Sequence, residues 1–79
     1  MFLHVDKVQY LDHYRLRIKF NNNNIRVVDL ATELHGKAFE PLKALNLFRQ
    51  VYVNLETGTI EWPNGADFAP EFLYELGTT

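Results

Sequence analysis

The segment Tyr14-Arg15-Leu16-Arg17-Ile18-Lys19-Phe20 alternates without a break between apolar and basic residues. Successive side chains of a strand point to opposite faces, so this period of two defines a half-buried β-strand. Tyr14, Leu16, Ile18 and Phe20 take the inward face, and Arg15, Arg17 and Lys19 meet water. Asn21-Asn22-Asn23-Asn24 follows. Asparagine tolerates left-handed backbone better than other residues bearing a side chain, so the run predicts a tight hairpin connection. Ile25-Arg26-Val27-Val28-Asp29-Leu30 is then the returning strand.

Upstream, Leu3 and Val5 alternate, and Val8 and Tyr10 do so in the opposite phase. One extra residue swaps the faces of a strand, so the flip near Asp6-Lys7 predicts a β-bulge. Asp12-His13 turns the chain into the strand of Leu16, and residues 3–30 predict a three-stranded meander. Ala31 to His35 is expected to form one helical turn, ended by Gly36. Pro41 stands where a helix can begin, and Leu42, Leu45 and Phe48 share a face, which predicts a short helix or two helical turns. Val51, Val53 and Leu55 alternate with Tyr52 and Asn54 as a fourth strand. Glu56-Thr57-Gly58-Thr59 has turn chemistry, and Ile60 and Trp62 form the inward row of a fifth strand. Pro63-Asn64-Gly65 stops that strand, and Pro70 opens a last helical turn that ends at Gly77, with Thr78 and Thr79 expected to form a frayed tail.

The predicted order is β-β-β-α-β-β-α in a single domain over residues 1–79. Short links imply antiparallel pairing. The expected fold class is α+β: an antiparallel sheet of about five strands with short helices packed on one face. An apolar fraction of 47% and an aromatic fraction of 14% supply the core and argue against disorder. Cysteine is absent, so the core has no disulfide staple and no thiolate metal site. Charge begins at Asp6, which leaves no apolar signal core, and no run approaches the ~18 apolar residues of a membrane helix. These features predict a soluble, cytoplasmic protein.

The charge is unevenly placed. All eight Lys and Arg lie in residues 1–49 against five acids, and residues 50–79 hold five acids and no base. A net charge of −2 and a pI of about 5.8 favour two parts of one fold that neutralise each other over a nucleic-acid binder.

The residues that can carry chemistry point away from catalysis. His4, His13 and His35 lack any metal-ligand spacing. Serine and cysteine are both absent, which removes the common nucleophiles. The glycines are isolated rather than clustered as phosphate cradles require. A carboxylate pair remains, for example Asp67 with Glu71, better read as electrostatic bias on the last helix than as a catalytic site. The basic stripe Arg15, Arg17 and Lys19, about 13 Å long at ~3.3 Å per residue, is the candidate interaction surface. Arg26 is expected to extend it from the neighbouring strand. Tyr52 joins the candidates because its phase turns it away from Val51 and Val53.

The C-terminal stretch WPNGADFAPEFLY, preceded by VDLATELHGKAFEPLKALNLFRQVYVN and the hairpin YRLRIKFNNNNIRVVDL, resembles the small prokaryotic family catalogued as domain of unknown function number 2442. The resemblance runs over essentially the whole chain. Members typically carry a glycine in the first hairpin, where this chain has asparagines. The resemblance implies no established activity and no cofactor. It implies small proteins that sometimes precede a helix-turn-helix domain and whose genes often neighbour those of another small family, as in a toxin–antitoxin-like pair. Within the motif, Trp62, Pro63, Asn64, Gly65, Asp67, Pro70 and Tyr74 are given a structural role. Trp62 closes the last strand over the core, and Asp67 is expected to accept hydrogen bonds from backbone N–H groups near the helix start.

The function expected is therefore a non-enzymatic protein-interaction domain, one member of a toxin–antitoxin-like pair whose partner is encoded by a neighbouring gene. The alternatives are a weak nucleic-acid binder using Arg15, Arg17, Lys19 and Arg26, and, least favoured, a small enzyme with a carboxylate site near Asp67. Homodimerisation by pairing of sheet edges is a further expectation for so small an antiparallel sheet.

Overall fold

The structure is a computed structural model and describes residues 2–78. Strands β1 (Val5–Asp12), β2 (Arg15–Phe20) and β3 (Ile25–Asp29) form an antiparallel meander in the order β1-β2-β3. A 3₁₀ helix (Glu40–Lys43) and helix α1 (Leu45–Phe48) follow. Strands β4 (Tyr52–Asn54) and β5 (Thr59–Glu61) pair as a second antiparallel ladder, and helix α2 (Pro70–Leu76) closes the chain. The class is α+β, with five antiparallel strands and short helices, as the periodicities predict. The strands divide into ladders of three and two. The Val5 N–H, bonded to the Gly58 carbonyl at 2.8 Å, ties the first ladder to the second hairpin.

Leu16, Ile18 and Phe20 are wholly buried, together with Val28, Leu42, Phe48, Ile60, Trp62 and Leu73. One apolar cluster therefore joins both ladders and all the helical elements. The bulge expected near Asp6 is present, because Val5 faces Phe20 while Lys7 faces Lys19, leaving Asp6 as the extra residue. A second shift at Leu11 lies between the Tyr10–Leu16 and Asp12–Arg15 pairs. In the asparagine run, Asn23 takes a φ of 70° and the Phe20 N–H bonds the Asn24 carbonyl at 2.9 Å.

Three expectations need correction. Ala31 to His35 forms no helical turn. A single bond from the Glu33 N–H to the Leu30 carbonyl starts a turn there. Helix nucleation is costly, and Gly36 at φ +90° breaks the backbone before propagation can repay it. Asp67 does not cap α2. The N-cap is Ala69, without a side-chain bond, and Asp67 lies two residues too early to reach the first free N–H groups. Its backbone bridges Glu61 instead. Finally, Thr78, expected in a frayed tail with Thr79, pairs through its N–H and its carbonyl with Val27, at 2.9 and 2.8 Å. The middle of the β3 edge is thereby occupied. Thr79 lies outside the described residues.

The WPNGADFAPEFLY segment folds as a closure over the core. The buried Trp62 donates its Nε1–H to the Phe48 carbonyl at 2.8 Å. Gly65, at φ +88°, returns its N–H to the Trp62 carbonyl at 2.8 Å. Asn64 accepts the Ala66 N–H at 3.1 Å and donates to the Ala38 carbonyl at 2.9 Å, which pins the turn to the preceding loop. Pro70 sits in the first turn of α2, where its missing N–H costs no helical bond.

Candidate functional site

Directly opposed residues of an antiparallel pair share a face. Because Leu16, Ile18 and Phe20 are buried, the other parity of each strand forms the outer face of the meander. Lys7 and Gln9 of β1, Arg15, Arg17 and Lys19 of β2, and Ile25, Val27 and Asp29 of β3 occupy that face. The helices pack on the inner side, and Arg15, Arg17, Lys7 and Ile25 are exposed.

The three predicted basic residues are not equivalent. Arg15 makes a two-pronged contact with Asp12, Nε to Oδ1 at 2.7 Å and Nη2 to Oδ2 at 2.8 Å, and faces Asp29 across the ladder. The hydrogen bonds from Arg15 hold the Asp12 carboxyl below its usual range and, reciprocally, hold the Arg15 guanidinium more firmly protonated. Arg17 donates to the neutral Gln9 at 3.3 Å. Lys19 stands directly opposite Lys7. Among the described residues, Lys7, Arg17 and Lys19 have no ion-pair partner. The positive field thus concentrates at the Lys7–Lys19 end, with Ile25 beside it opposite Lys19.

Arg26 does not extend the stripe. It is paired with Ile18, so it belongs to the inner side. There its guanidinium carbon lies 3.8 Å from the centre of the Tyr74 ring. Asn24 donates to the Tyr74 hydroxyl at 2.9 Å and Asn22 does so at 3.4 Å. The Arg26 guanidinium and the Asn22 amide lower the Tyr74 phenol from its ordinary value. The phase of Val28 and Leu30 already carried this signal, since both buried residues share the parity of Arg26.

Tyr52 is exposed, as its phase predicts, and faces Glu61 across β4–β5. Its hydroxyl donates to Glu61 Oε2 at 2.5 Å, while Asn54 donates to Oε1 at 3.2 Å. The Glu61 hydrogen bond raises the Tyr52 phenol above its ordinary value. Asp67 and Glu71 are both exposed. A surface cavity of about 220 Å³ lies elsewhere, lined by His4, Val5, Asp6, Leu55 and Gly58. No group of three His, Asp or Glu side chains able to hold a metal ion forms among the described residues. Among them, too, no helix is long and apolar enough to cross a membrane.

Sequence reading missed the opposition of Lys7 to Lys19. It depends on the register across β1–β2, and the bulge at Leu11 displaces that register by one residue from a simple count back from the Asp12-His13 turn.

The fold and this face define a small α+β domain that presents an uncovered, basic sheet surface. A family model described as protein of unknown function, DUF2442, matches residues 5–79, and the chain belongs to that family. No curated protein and no solved structure matches the chain.

Proposed function

We propose that the chain is a non-enzymatic protein-interaction domain that docks an acidic surface of a partner on the outer face of its β1–β2–β3 meander. One observation carries this: Lys7 and Lys19 are directly opposed without an intervening counter-charge. Like charges in such a pair destabilise a sheet, and a carboxylate set between them relieves the repulsion. Arg17 extends the charge, while Ile25 and Val27 add apolar contact area beside it. A centre of mixed apolar and basic character suits a protein surface.

Nucleic acid is the weaker fit. Three uncompensated cations give a log–log salt slope of at most about −3, well below that of proteins that grip several phosphates. On this reading the chain is the smaller member of a two-protein regulatory pair in the cytoplasm.

The test is an amide-shift NMR titration with a deca-glutamate peptide and, separately, with an oligonucleotide of equal charge. The peptide is expected to shift Lys7, Arg17, Lys19, Ile25 and Val27. No shift on this face contradicts the proposal, and tighter binding of the oligonucleotide replaces it with the nucleic-acid reading.

A further inference from the structure

Phe39, Phe68 and Phe72 stack in a column. The first two rings lie 4.6 Å apart at 27°, and the second two 5.3 Å apart at 15°. Trp62 meets Phe68, the middle ring, edge-on at 6.0 Å and ties the column to the core. It ends at Phe72, which remains 38% exposed. Glu71 precedes that ring, and Glu75 lies three residues further on, hence on the same side of α2. Both are exposed and, among the described residues, neither has an ion-pair partner.

We propose that the exposed end of this column docks an arginine from a basic segment of a partner protein, at a surface separate from the open sheet face. A guanidinium lies flat on an aromatic face and offers its edge donors to carboxylates at the same time. An apolar or aromatic occupant would strip water from Glu71 and Glu75 without replacing it. The charge complementarity is local, because Glu71 and Glu75 lie on the part of α2 that carries Phe72 and residues 50–79, to which α2 belongs, contain no base. The same short helix already holds a guanidinium on an aromatic ring, Arg26 over Tyr74. Phe72 offers that chemistry outward.

The experiment titrates the intact chain with the peptides Arg-Gly-Arg-Gly-Arg and Lys-Gly-Lys-Gly-Lys, both blocked at the ends, and follows backbone amides. The arginine peptide is expected to shift residues 67–76 and to bind about two- to fivefold more tightly than the lysine peptide. Phe72→Leu is expected to abolish that preference, and the double variant Glu71→Gln, Glu75→Gln to weaken both peptides without disturbing the fold. Equal affinities for the two peptides, or shifts confined to other surfaces, overturn the proposal. Should Phe72→Leu fail to fold, the wild-type preference and the glutamine variant decide alone. Lys7→Gln with Lys19→Gln is expected to leave the preference for the arginine over the lysine peptide intact, so failure at this surface and failure at the sheet face are read separately.

Discussion

The guanidinium of Arg26 rests on the ring of Tyr74, 3.8 Å from its centre, and fastens α2 to the inner side of β3. Gly77 makes the fit close, because a Cβ there would lie 2.7 Å from Arg26 Cβ and 3.1 Å from Val28 Cγ1. The Thr78–Val27 bridge completes the attachment. A cation that residue type assigns to the basic stripe thus works as part of the fold, on the inner face that strand alternation gives it.

Arg26→Ala removes both the charge over the ring and the aliphatic stem packed beneath α2. It is expected to cost about 1–2 kcal/mol. Urea unfolding measures the loss, and hydrogen exchange at the Thr78 amide accelerates if α2 and its tail loosen together. An unchanged midpoint would show that α2 is held by its apolar residues alone.

Trp62→Phe keeps an aromatic ring in the core but removes the donor to the Phe48 carbonyl. A buried acceptor left without a partner costs about 1–3 kcal/mol, and the smaller ring adds a void. Thermal unfolding is expected to show a clear loss of stability with the native fold retained.

Tyr52 and Tyr74 should titrate on opposite sides of the ordinary phenol value of about 10. Glu61 accepts from the protonated Tyr52, so the raised phenol contributes stability below the unfolded pKa and loses it as pH rises through the folded one. Tyr74 has the opposite sign, because Arg26 and Asn22 favour its phenolate; its contribution appears as pH rises through the lowered folded value. Carbon-13 shifts of the two Cζ atoms give both midpoints. Coincident titrations would show that neither contact persists in solution.

Much of this architecture is legible in the sequence because strand periodicity is a local property. Leu16, Ile18 and Phe20 declare their burial, the phase flip declares the bulge at Asp6, and Pro70 and Gly77 bracket α2. Contacts that depend on register or on packing between distant segments are not local. Lys7 meets Lys19 only after the bulge at Leu11 has set the ladder. Phe39 reaches Phe68 only when the central loop folds against the final turn. Asp67 looks like a helix cap by residue type, yet the chain is still extended at that point and reaches the helix only after Ala69. The family match supplies membership and no site residue, so the candidate surface rests on register and charge.

Lys19→Glu tests the sheet face most directly, through thermal unfolding with and without the deca-glutamate peptide. The substitution turns a repulsive cross-strand pair into an attractive one, a change of about 0.2–1 kcal/mol, or roughly 1–8 °C in a domain of this size. The expected result is a melting temperature raised in the free protein, together with loss of the stabilisation that the peptide gives the wild type. A lowered melting temperature, or undiminished stabilisation by the peptide, would contradict a docking role for the opposed lysines.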